Sequence, residues 1–114
     1  MKQIRKTYRE VNPELLLAEI RDFAVAQGLQ IIDTKQETYT LPDESASFIT
    51  RGTMVFGAET GKGKENLRVH VVGSARDETK LMLDVDDKQV TEAQLTALMD
   101  NVDFIFGSYE AEEA

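Results

Sequence analysis

The groups able to do chemistry in this 114-residue chain are few, and all are oxygen or nitrogen groups. There is no cysteine, so thiolate nucleophiles, disulfides and Cys-based zinc or iron–sulfur sites are excluded. His70 is the only histidine, which excludes any site built on two imidazoles. An imidazole exchanges its proton near neutrality, so His70 is a candidate general acid or base. No nucleophile or orienting carboxylate stands beside it in sequence, and a strand histidine on the wet face is the simpler account. The densest carboxylate group is Asp84, Asp86 and Asp87, with Glu92 following. It is the one candidate for a hard cation such as Ca²⁺ or Mg²⁺. Its spacing does not match an EF-hand loop, and acids near a helix start need no metal to explain them. Gly61-Lys62-Gly63-Lys64 evokes a phosphate loop but lacks the P-loop spacing and the helix that should follow. These residues predict no cofactor and no metal, and they favour a protein that is not an enzyme without deciding it. A hydrolase or lyase built on paired carboxylates ranks third among the functions considered.

Contact chemistry is better supplied. Met54, Phe56, Val72, Met82 and Met99 are candidates for a ligand or partner surface, because Met and Phe suit adaptable contacts and cavity walls. Phe48, Phe104 and Phe106 belong to the same set of large apolar residues, for which plain core is the ordinary role. Val72 and Met82 stand out. Each alternates away from a run of core-type residues, so the outer face of a sheet is expected to be partly apolar. Two uses follow. A binding or adaptor domain would contact a protein partner, or a second copy as a homodimer, through that face or an edge strand. A carrier would hold a small apolar ligand among Met54, Phe56, Val69, Leu98 and Met99.

The net charge of −8 argues against nucleic acid as a general partner. It is unevenly spread. Lys2, Arg5, Lys6 and Arg9 precede the first acid, so the other nine cations face all twenty-one acids. That basic strip is either a solvated start or a dock for an acidic partner. Residues 108–114 read as a frayed acidic tail. No apolar stretch resembles a signal peptide core or approaches the ~20 residues of a membrane span. A cytoplasmic protein without membrane contact is the expectation.

These side chains need elements to position them. Asn12-Pro13-Glu14 is a helix start: an Asn cap, a Pro at the first position and an acid at the positive end of the dipole. Leu16, Ile20, Phe23 and Ala24 keep helical spacing to Gln27, and Gly28 suits the left-handed exit. Residues 1–11 read as an edge strand or arm. Four strands follow, opening at Leu29, Ser47, Leu67 and Lys80, with alternation that covers one face only. Gly52 inside the second of them signals a bulge or a close approach. Thr91 and Gln94 form a capping box for a last helix over 91–100. Residues 101–109 fit either its continuation or a short strand of Val102, Phe104 and Phe106. The whole is one α+β domain of order (β)-α-β-β-β-β-α: a four- to five-stranded antiparallel sheet with two helices packed on one face. In element order alone it is similar to helix-grip domains, which is what suggests the carrier.

Overall fold

Asn12 caps the first helix as its sequence requires. Its side-chain oxygen accepts from the amides of Glu14 at 2.8 Å and Leu15 at 3.4 Å, and Pro13 opens the helix. The computed structural model describes residues 2–40, 48–58, 65–74 and 78–111. Within them the chain forms β1 (Lys2–Arg9), α1 (Pro13–Ala26), β2 (Leu29–Thr40), β3 (Phe48–Ala58), β4 (Glu65–Gly73), β5 (Glu78–Val85) and α2 (Glu92–Phe106), ending in a 3-10 turn at Gly107–Tyr109. No helix among the described residues is long and apolar enough to cross a membrane. Gly28 exits α1 at φ +87°, a conformation that strains any residue with a Cβ.

The five strands make one antiparallel sheet in the order β1-β5-β4-β3-β2. Lys2–Arg9, within the stretch read as an edge strand or arm, is an edge strand, and it pairs with the last strand rather than with its sequence neighbour. Four antiparallel steps separate β1 from β2, so the two run parallel and α1 is the crossover between opposite edges. The link is pinned at its start: Thr79 Oγ1, fully buried in β5, donates to the Val11 carbonyl at 2.8 Å.

Both helices lie on the same face. Leu16, Leu17, Ile20 and Ala24 of α1 are buried against β2, β3 and β4. Leu95, Leu98, Val102 and Phe106 of α2 are buried as well. Phe106 meets the Tyr8 ring of β1 edge-on, with centroids 6.2 Å apart. The capping box forms as read, Gln94 N donating to Thr91 Oγ1 at 3.1 Å and Thr91 N to Gln94 Oε1 at 2.9 Å. Gln94 Nε2 also reaches the Gln27 carbonyl at 2.9 Å, joining the start of α2 to the end of α1.

One open alternative is decided and one reading is corrected. The stretch after Asn101 is helix to Phe106, not a strand. At 100° per residue Val102 and Phe106 share the buried stripe while Phe104 points away, and Phe104 is 90% exposed rather than core. The tail does not fray from 108. Glu110 bridges Tyr8 of β1, and the Ala111 amide donates to the Thr7 carbonyl at 2.8 Å. The acids expected beyond Ala111, like Gly61, Lys62, Gly63 and Lys64, lie outside the described residues.

Gly52 marks a close approach, not a bulge. Its pairing with Gln36 and Val71 is regular, and a Cβ there would sit 2.2 Å from Leu17 Cδ1. The bulges occur instead where β2 passes Ile31/Asp33 and where β3 passes Phe56/Gly57. Gly73 is the stricter glycine, since its Cβ would lie 2.4 Å from the backbone Cα of Thr79.

Candidate functional site: the uncovered face of the sheet

Strand alternation sends Leu67, Val69, Val71, Leu81, Leu83 and Val85 toward the helices, where all are buried. The same alternation turns Arg68, His70 and Val72 of β4, and Lys80, Met82 and Asp84 of β5, to the face that no described element covers. Pairing with β1 and β3 then assembles two rows across that face. Arg5, Met82, His70 and Thr53 form one, and Thr7, Lys80, Val72 and Arg51 form the next. Val72 and Met82 are half-buried, ringed by Arg5, Arg51, Lys80 and His70. No carboxylate stands within either set of four.

The carboxylates lie at the margins and are engaged. Asp84 accepts from Gln3 Nε2 at 2.9 Å and lies 3.5 Å from His70 Nε2. Thr53 Oγ1 stands 3.5 Å from the other imidazole nitrogen, so His70 is held between a hydroxyl and a carboxylate. Glu37 takes the Tyr39 hydroxyl and the Lys35 ammonium, and these two, in that order, hold its carboxyl below the usual range. Glu65 pairs with Arg68, whose guanidinium is thereby pushed up. Arg5, Arg9, Arg51 and Lys80 make no ion pair among the described residues.

Charge is thus polarised across the molecule. The helices carry Glu14, Glu19, Asp22, Glu92, Asp100 and Asp103 against Arg21 alone. Among the described residues the open face carries Arg5, Arg9, Arg51, Arg68, Lys35 and Lys80 against Asp33, Glu37, Glu65, Glu78 and Asp84. Among the described residues the acids are thus concentrated on the helices, while acids and bases on the open face nearly balance.

The structure divides the surface set drawn from the sequence. Val72 and Met82 both turn to the open face, in adjacent rows. Met54 and Phe56 do not, because their register in β3 turns them toward α1, and they are 4% and 0% exposed. Met99 packs on the core from α2. The five residues proposed to line a carrier pocket are all in or against that one packed cluster. The basic strip is split by the same alternation. Arg5 and Arg9 face outward. Lys6 turns in, where its ammonium lies 2.9 Å from both Asp103 and Glu110. Burial alone would lower the Lys6 pKa, but those two carboxylates outweigh it and raise it. Lys2, at the end of β1 opposite Val85, is exposed.

Asp84, Asp86 and Asp87 do not converge on a cation. Asp84 points across the face, while Asp86 closes a turn by accepting from Lys88 N at 3.0 Å. No group of three acids or histidines suited to a metal occurs among the described residues. A depression of about 330 Å³ opens beside them, lined by Glu65, Asn66, Arg68, Asp84 and Asp86. A second, of about 200 Å³, runs between α1 and β2. Sequence reasoning missed the cationic ring. Its members come from β1, β3 and β5, and only the pairing of β1 with β5 makes them neighbours. It also missed Phe104, for which the 3.6-residue spacing of Val102 and Phe106 was the available signal. No protein-family model matches this chain, and a search of curated proteins finds no match to it.

Proposed function

We propose that this protein is a non-enzymatic binding domain whose working surface is the uncovered face of its sheet. The observation that carries this reading is the half-buried Val72 and Met82, flanked by Arg5, Arg51 and Lys80, which make no ion pair among the described residues. Desolvated apolar centres with a charged rim are how protein contacts are built, and arginine is enriched in them.

The test compares aspartate substitutions on the two sides of the molecule. Val72→Asp and Met82→Asp should abolish capture of a partner by the purified protein. Leu15→Asp, at a half-exposed helix position, should leave capture intact. Circular dichroism establishes that all three are folded. Loss with Leu15→Asp and retention with the other two would overturn the reading.

A further inference from the structure

β1 is an edge strand whose inner side is paired with β5 along its whole length, from Lys2↔Val85 to Arg9↔Glu78. Its outer side is met at one place among the described residues. There Glu110 bridges Tyr8, and Ala111 N–H donates to the Thr7 carbonyl at 2.8 Å. Backbone groups of a strand point to alternate sides, so the N–H and C=O of Arg5 and Gln3 share the outward side with those of Thr7. They have no backbone partner among the described residues. An open edge of this kind is a template for another strand.

The side chains around it select the strand. Arg5 and Arg9 project onto the open face, Arg5 Nε donating to Gln3 Oε1 at 2.9 Å and neither making an ion pair among the described residues, and Lys2 is exposed at the end of the edge. Pairing with β1 of a second copy would set Lys2, Arg5, Lys6 and Arg9 against the same four cations, and like charges on facing strands repel. The chain's own Glu110 displays the opposite case. Its backbone extends the sheet beside Tyr8 while its carboxylate takes the Lys6 ammonium at 2.9 Å.

We infer that the outer edge of β1 from Gln3 to Arg5 accepts an extended acidic segment of a partner protein as an added antiparallel strand. Its backbone would bond to Gln3 and Arg5, and its alternate carboxylates would meet Arg5 on one side and Lys2 on the other. This rests on the binding-domain reading and specifies the partner's chemistry. Nucleic acid does not fit, since it brings no strand of amide donors and carbonyl acceptors to the edge.

The test uses a synthetic peptide of alternating glutamate and valine, and the full chain. Amide hydrogen exchange at Gln3 and Arg5 and the methyl signals of Val72 and Met82 are read together. The peptide should slow exchange at Gln3 and Arg5 by about tenfold or more. Two changes should each weaken binding by about tenfold or more. One is Arg5→Glu. The other is N-methylation of the peptide amides that face the edge, which leaves every charge in place. Equal binding of the N-methylated peptide would overturn strand addition. So would methyl shifts at Val72 and Met82 without protection of Gln3 and Arg5, and that result would leave the binding-domain reading standing. No response at either place would overturn the acidic partner. An oligonucleotide that protects both amides would overturn it too.

Discussion

Tyr8 anchors the edge strand, and its hydroxyl is the one buried side-chain polar atom without a hydrogen-bond partner among the described residues. The residue is 0% exposed. Taking a hydroxyl out of water with no bond in return costs about 1–3 kcal/mol. Tyr8→Phe removes that cost and keeps the ring on Phe106. The variant should be more stable at pH 7 by about 1 kcal/mol, at the low end because the emptied space is not refilled. The gain should grow with pH. Burial, opposed in part by Lys6, raises the Tyr8 pKa from 10 to about 12. The folded state therefore holds this proton more tightly than the unfolded chain. Its contribution is complete below pH 10 and is lost as pH rises through about 12. Each tenfold in proton affinity is about 1.4 kcal/mol, so the loss approaches roughly 3 kcal/mol. Urea unfolding of both proteins from pH 7 to pH 12 isolates the effect, because all other groups titrate in both and cancel in the difference. A variant less stable at pH 7 by more than about 1 kcal/mol, or a difference that does not widen above pH 10, would refute the reasoning.

The two tight glycines should separate by what they touch. Gly73→Ala drives a Cβ into the Thr79 backbone and should cost about 3 kcal/mol or more, whereas Gly52→Ala meets only the end of Leu17 and should cost about 1–3 kcal/mol. Adding Leu17→Ala should recover part of the Gly52 loss when the single and double variants are compared by denaturant unfolding, and no coupling would contradict the contact. Lys6→Met breaks two bonds at 2.9 Å whose acids remain in reach of water. It should therefore lower stability by only about 1 kcal/mol in chemical denaturation, while speeding amide exchange at Ala111, which its Glu110 contact helps hold against Thr7.

Local chemistry was legible in the sequence; long-range pairing was not. Asn12-Pro13 and the Thr91–Gln94 box named both helix starts because caps are set by neighbours in sequence. The alternation of Leu81, Leu83 and Val85 against Lys80, Met82 and Asp84 named the outward face of β5. The end of α2 was ambiguous because Val102, Phe104 and Phe106 satisfy a period of two while Val102 and Phe106 also satisfy the helical one. Burial of the second pair in the core, with Phe106 against Tyr8, decides it. Met54 and Phe56 entered the surface set by residue type, and their register beside Gly52, under Leu17, places them in the core instead. The cationic ring could not be seen at all. Arg5 and Met82 are 77 positions apart in sequence and become neighbours only because β1 pairs with β5.

The polarity that the sequence showed along its length is, in the folded chain, a polarity between faces. The measurement that bears on it most directly is site-specific photo-crosslinking in the presence of a partner. The crosslinker is placed in turn at Met82, at Val72 and at Phe104, the most exposed large apolar side chain among the described residues. Adducts from Met82 and Val72, with none from Phe104, are the predicted result. Adducts from Phe104 alone would move the working surface to the helices and contradict the account.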